Sequence, residues 1–583
     1  MKLFFTLLVA CLFLPLAATA APSEAKKLHG LFGREWDYEM QRRPVWASIL
    51  GDRRWNNRWE TRSKQAEITH ELHQKRVLEL MRRIDRSKLT ADDQLNYDLF
   101  QQSAQRDIEQ GTMMLYLMPM NHRDGVQSLD ETAAALRFET VKDYEDWLDR
   151  MEALPAYIDQ TVELMKEGIL RRIVHARVVM ERVPRQLAKQ IVEEPEQSPF
   201  YKTFAKFHRN IPEGEQLRLE SEAWTVIKKD IVPAFAKFKI FFEKEYLPAC
   251  FDSVGAWQWP HGKQAYDYLC RKFTTTSRSA DQIHKIGVAE VKRIRGEMET
   301  IRAQVGFDGD LAAFFEHLRT DPKFFFTKGE DLLQDYRARS RVIDPLMVKV
   351  FRVLPRMPYG IEPIPAKMAP DTTTAYYRWP APDGSRAGTY FVNLYQPETR
   401  PKWEMLALSL HEAMPGHHLQ IALAQEQTDL PKFRRHLSIT AYIEGWGLYA
   451  ESLGDELGLY EDPYDKFGQL TYEMWRAVRL VVDTGIHSKR WSRERAIEFF
   501  MDNAPKMRPD VVNEIDRYIA WPGQALAYKI GQLKISELRA RATRALGANF
   551  DVKAFHDLVL RSGAVPLDIL EKRVDAWIRQ GGK

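Results

Sequence analysis

Residues 406–420, read as LALSLHEAMPGHHLQ, constrain the rest of the chain more than any other stretch. An apolar run of this kind belongs in a buried helix, yet it carries His411 and Glu412 side by side and breaks at Pro415-Gly416 just before His417 and His418. Buried ionisable groups need partners, so other segments must fold around this one and supply them. Three imidazoles and a carboxylate within a few residues make the donor set of a hydrolytic zinc site.

In the usual zinc-protease helix the second His follows the first by four residues. Both rings then reach one ion, while the Glu between them polarises its water. Here that place is taken by Pro415. Proline removes a backbone donor and clashes with the preceding turn, and glycine loosens the chain, so the helix should bulge or bend. On an ideal helix His417 lies roughly 240° around from His411, and His418 shares its face but sits about 10 Å further along. Looping out Met414 to Gly416 would bring His417 into the second ligand position, with His418 the alternative. A catalytic zinc needs a third protein ligand. Glu444 supplies it from a helix expected over residues 438–456, where Gly445 and Gly447 allow close approach; Glu451, two turns further on the same face, is the fallback. Glu412, beside a ligand without being one, is the candidate general base.

The pattern HExxPGH, here His411 to His417, followed by an EGW segment, here Glu444-Gly445-Trp446, resembles the bacterial family catalogued as DUF885. The resemblance runs through most of the chain and is most specific between about Thr389 and Lys529. It implies a zinc-peptidase-like, mainly helical fold in a family whose substrates are largely undefined. Two further stretches look like family segments: Asp483 to His487, and Trp521 to Tyr528. They offer His487 and Tyr528 as donors to the oxyanion of an amide hydrolysis. Arg476, Arg479 and Arg517 are candidates to fork to a substrate carboxylate.

The remainder of the chain reads as helix bundle. From about Lys26 to Ser340 apolar residues recur with a 3.6-residue period, as in Tyr144, Trp147, Leu148, Met151 and Leu154. Thr90 with Asp93, Thr140 with Asp143 and Ser279 with Gln282 mark helix starts. Seven prolines between Leu354 and Pro382 forbid long helices there, and TYFVNLY, residues 389–395, reads as a strand at the lip of the cleft. The expected architecture is mainly α: one large two-lobed, metallopeptidase-like domain over residues 21–583, with a helical lobe to about 340, a catalytic lobe beyond, and a small sheet beside the cleft.

The first residues, Met1-Lys2, an apolar run to Leu16, and Ala18-Thr19-Ala20, match a secretory signal cleaved after Ala20. This segment is too short to span a membrane, so no transmembrane segment is expected. Leu8-Val9-Ala10-Cys11 offers a lipobox as the alternative, which would leave an anchored lipoprotein. Export leaves Cys250 and Cys270, which could pair as a disulfide or lie apart as buried thiols. With 85 Lys plus Arg against 81 Asp plus Glu, spread through amphipathic stretches, nothing asks for nucleic acid.

Together these features lead us to expect an exported, periplasmic or extracellular zinc metallopeptidase acting on small peptides. His411, His417 and Glu444 would hold Zn2+, although Mn or Co accept similar ligands. The alternatives are a zinc amidase acting on cell-wall or other amides, and a non-catalytic envelope protein that binds zinc or peptides.

Overall fold

The computed structural model describes residues 23–366 and 368–582. The signal segment, the Ala20–Ala21 junction and Cys11 lie outside the described residues. The fold is mainly α with a three-stranded sheet.

Helices begin where hydroxyl caps can serve the amides that a first turn leaves bare. Thr90 accepts from the Asp93 amide at 3.2 Å at the head of the helix Ala91–Thr112. Thr140 with Asp143 and Ser279 with Gln282 form reciprocal capping boxes on α1 (Val141–Arg171) and α2 (Ala280–Gln304). The α1 stripe predicted from the 3.6-residue period, including Tyr144, Trp147, Met151 and Leu154, is buried.

The proline-rich segment carries β1 (Tyr359–Pro363) and β2 (Ala375–Arg378), followed by β3 (Gly388–Val392). The sheet order is β1-β3-β2, with β1 parallel and β2 antiparallel to β3. The expected strand therefore exists, but it ends at Val392, after which the Asn393 side chain donates from Nδ2 to the carbonyls of Ala369, Thr372 and Thr373. It is also the buried middle strand, paired on both sides, so it has no free edge for an extended substrate. The strand beside the cavity is β2, which contributes Tyr376 and Tyr377.

After the sheet come α3 (Met405–Glu412), α4 (His417–Glu426), α5 (Thr440–Leu457), α6 (Pro463–His487), α7 (Arg508–Ala520) and α8 (Ala527–Leu546). Every residue of α6 from Phe467 to His487 is buried. A helix buried all round is usually apolar, but this one carries Glu473, Arg476, Arg479, Asp483 and His487. Each of these must find its partner inside the protein. Helices α5 and α8 cross at Gly445 and Gly531, where a Cβ on Gly531 would stand 1.9 Å from the Ala441 carbonyl oxygen. Only glycine permits that approach. A single apolar cluster draws residues from both sides of position 340, among them Trp147, Phe235, Val478 and Ile515.

Cys250 and Cys270 are free, buried thiols rather than a disulfide. They belong to different apolar clusters. Burial pushes the Cys250 thiol up to about 12 and raises that of Cys270 as well.

Candidate metal centre

The Pro-Gly break does more than bend the His helix. Helix α3 ends at Glu412, Ala413 leaves helical geometry at φ −102° and ψ −112°, and a second helix begins at His417. The turn folds tightly under α3, since a Cβ on Gly416 would lie 1.8 Å from the His411 carbonyl oxygen. Trp446, of the EGW segment, donates from its indole nitrogen to the Pro415 carbonyl at 2.8 Å. The downstream motif thereby holds the loop of the upstream one.

This turn brings the His411 and His417 rings to a centroid distance of 4.6 Å, nearly perpendicular at 82°. Glu444 Oε2 lies 3.6 Å from His411 Nε2 and 3.4 Å from His417 Nε2. One ligand atom from each of the three residues falls within 4.8 Å of the others. Atoms bonded at about 2.0–2.2 Å to one tetrahedral ion lie about 3.3–3.6 Å apart, so the donor set fits zinc in chemistry and in spacing. The charges agree. Burial alone would lower the pKa of His411, but the carboxylates of Glu444 and Glu451 outweigh it and push the imidazole up to about 9. Burial would likewise raise Glu444, yet the His417 and His411 rings hold it well below the usual carboxylate range. Such a cluster favours positive charge at its centre.

The Glu444 helix presents one face to His411. Glu444 reaches Nε2, Glu451 reaches Nδ1 at 2.8 Å, and between them Gly447 lies so close that a Cβ would stand 2.8 Å from the ring carbon Cε1. Glu451, the fallback ligand, lies outside the three-residue cluster: it sits behind His411, on the ring nitrogen opposite the one that meets Glu444, where a carboxylate orients an imidazole. His418, the alternative second ligand, is also placed elsewhere. Its Nδ1 meets the Tyr377 hydroxyl at 2.8 Å, and burial pushes it down to about 4.

Glu412 lies outside the three-atom cluster but lines the same cavity, of about 460 Å³. Burial raises its carboxyl, opposed by the His417 and His411 rings. The far wall carries Tyr528, whose hydroxyl accepts from Arg517 Nη2 at 3.0 Å. Arg476, Arg479 and Arg517 all line the cavity, although Arg476 also turns back toward Glu451 at 3.5 Å and the Tyr472 carbonyl at 3.2 Å. A larger, more apolar cavity of about 740 Å³ adjoins, sharing Tyr376, Tyr377 and Trp379.

His487 is a correction. Its Nδ1 accepts from the Ala256 amide at 3.0 Å and its Nε2 meets the Tyr518 carbonyl at 3.0 Å. Both nitrogens are occupied by backbone, burial pushes the ring down to about 4, and it is not part of the cavity wall. It ties α6 to the loop before residue 256 and α7. Sequence reasoning missed Arg123, which enters the cavity from a loop in the first quarter of the chain. A single arginine in MNHRDGV carries no motif that would have singled it out.

The fold and this cluster define a mainly helical protein in which two buried histidines and the half-buried Glu444 meet at a cavity lined by four arginines. The chain belongs to the DUF885 family, bacterial proteins of unknown function, which it matches across residues 44–574. Its structure is similar to the crystal structure of a protein from Colwellia psychrerythraea provisionally named a lipoprotein. The TM-score is 0.90 at 28% identity, with 96% of this chain and 100% of that chain covered. A second similar structure, from Shewanella oneidensis and provisionally named a lipoprotein of unknown function, has a TM-score of 0.67 at 18% identity. It covers 95% of this chain and 99% of its own, and shows the fold alone. No curated protein matches the sequence. Among the described residues no helix is long and apolar enough to cross a membrane.

Proposed function

We propose that this chain is an exported, zinc-dependent hydrolase of the cell envelope that cleaves small peptides. The observation that carries this is the convergence of His411, His417 and Glu444 within 4.8 Å, with Glu412 on the wall of the same cavity. Zinc held there would supply Lewis acidity that brings the pKa of a water toward about 7. Glu412 takes a proton from the attacking water. The water oxygen bonds to the amide carbon, the C–N bond breaks, and the proton passes from Glu412 to the departing nitrogen. The Tyr528 hydroxyl, oriented by Arg517, offers its hydrogen to the oxyanion. Export is supported by the signal-like N-terminus and by the lipoprotein name of the similar Colwellia structure.

Metal analysis of the purified protein, with mass spectrometry of a peptide mixture digested by wild type and Glu412→Gln, tests the proposal. About one zinc per chain is expected in both proteins, with turnover lower by roughly 10² to 10⁴ in the variant, the usual share of general-base catalysis. Zinc-free protein after growth with zinc, or equal turnover in the two, would overturn it.

A further inference from the structure

We infer that the cavity selects substrates by a free carboxylate, bound by Arg123, Arg479 and Arg517, so that the enzyme acts at carboxyl termini. This rests on the hydrolase reading of the same cavity.

The inference comes from an imbalance of charge. Arg479 and Arg517 share one carboxylate, that of Glu514, at 2.9 Å and 3.4 Å. Arg123, on the same cavity wall, has no ion pair among the described residues. Three guanidinium groups thus face a single acid. The side chains of Arg479 and Arg517 are only 4% and 12% exposed, so water does little to offset the excess. Burial and the charge of Arg517 press the Arg123 guanidinium downward against the attraction of Glu514, whereas Glu514 helps to hold Arg479 and Arg517 above the usual value, so of the three Arg123 is the cation least compensated. Arg479 Nη1 and Arg517 Nε are buried donors with no hydrogen-bond partner, an arrangement that folded proteins rarely keep without a use.

The donors are also fixed in place. Arg479 Nε donates to the Tyr518 hydroxyl at 2.8 Å, and that hydroxyl in turn donates to Glu514 at 2.8 Å and accepts from the Trp475 indole at 3.0 Å. Arg517 Nη2 is held by Gln524 at 2.9 Å and by Tyr528 at 3.0 Å. Arg479 and Arg517 each keep one unpartnered donor nitrogen, which leaves one charged hydrogen bond apiece for a carboxylate to complete. Two sources share this chemistry in a peptide: the terminal carboxylate and the side chain of Asp or Glu. The terminal carboxylate is the one every peptide carries. Its capture would make the cleavage exopeptidic, because the bound residue must be the last.

The test uses full-length Glu412→Gln protein loaded with zinc, in which cleavage is slowed by roughly 10² to 10⁴ so that binding is read before turnover. Calorimetry compares three ligands: acetyl-alanyl-phenylalanine as the free acid, the same peptide as its C-terminal amide, and an amidated peptide bearing a glutamate side chain. The free acid should bind about 10- to 100-fold more tightly than its amide, as charged hydrogen bonds give. Adding Arg123→Gln should reduce that preference to under about threefold, and Arg123→Lys should restore part of it. Arg123 is half-buried and without an ion pair, so both variants should fold, which circular dichroism checks. Equal binding of acid and amide, no binding of either, or an undiminished preference in Arg123→Gln would overturn the inference. An amidated glutamyl peptide that binds as well as the free acid overturns carboxyl-terminal action and assigns the site to acidic side chains. Hydrolysis by the wild-type protein is read separately. Preference without hydrolysis overturns the peptidase reading and leaves the carboxylate site standing, whereas equal cleavage of acid and amide does the reverse.

Discussion

Nδ1 of His411 lies 2.8 Å from Oε1 of Glu451, a carboxylate with no exposed surface. The same ring turns Nε2 toward Glu444 at 3.6 Å. A carboxylate behind a metal-binding imidazole fixes its tautomer and raises its basicity. Glu451→Gln should therefore weaken zinc binding by about 10- to 100-fold with the fold retained. Competition with a chelator of known affinity measures this. Wild-type affinity in the variant would remove Glu451 from that role.

Gly447 should be as sensitive, for a steric reason. Alanine there would put its Cβ 2.8 Å from His411 Cε1, on a helix pinned from behind by the crossing of Gly445 with Gly531. Either the ring or the helix must move, at a cost of about 1–3 kcal/mol, typical of overpacking. Gly447→Ala is expected to lose zinc affinity at least tenfold while keeping its far-ultraviolet circular dichroism.

The two adjacent histidines should separate cleanly. His417→Ala is expected to abolish stoichiometric zinc. His418→Ala should keep the metal and lose about 1–3 kcal/mol in urea unfolding, because the half-buried Tyr377 hydroxyl loses its partner. Metal loss in His418→Ala with retention in His417→Ala would reverse the assignment.

Asp483 predicts a pH dependence of stability. Burial pushes its carboxyl up to about 7 from 3.8, against the opposing hydrogen bonds of Tyr266 and the Gly523 amide. Below the unfolded value both states carry the proton. Between about pH 4 and 7 the unfolded chain gives it up while the folded protein keeps it, so this group's contribution to stability falls as pH rises. Over that window the loss amounts to roughly 3–5 kcal/mol. Asp483→Asn removes the titration. Its stability relative to wild type should rise from pH 4 to pH 8, as urea unfolding at both values would show.

That His411, His417 and Glu444 would come together was legible in the sequence from donor chemistry, from the Pro-Gly break and from the glycines that follow Glu444. Helix starts were legible too: a hydroxyl three residues before an amide caps it whatever the rest of the chain does. The strand at residues 389–395 was legible as a strand but not as the middle of its sheet, since neighbours are chosen by segments distant in sequence. His487 misled because a histidine's role depends on what meets its two nitrogens, and both partners, Ala256 and Tyr518, come from elsewhere in the chain.

Helical class, the break between the two histidines and the identities of the clustered donors all follow from the residues alone: from periodicity, from proline's missing amide and from side-chain chemistry. It took the packed chain to show that the break separates two helices, that Glu451 stands behind His411 rather than in the cluster, and that Arg123 joins Arg479 and Arg517. These are relations between residues far apart in the chain. They are fixed by which helices can approach closely, at Gly445, Gly447 and Gly531, and by the need of each buried charge to find a partner in space.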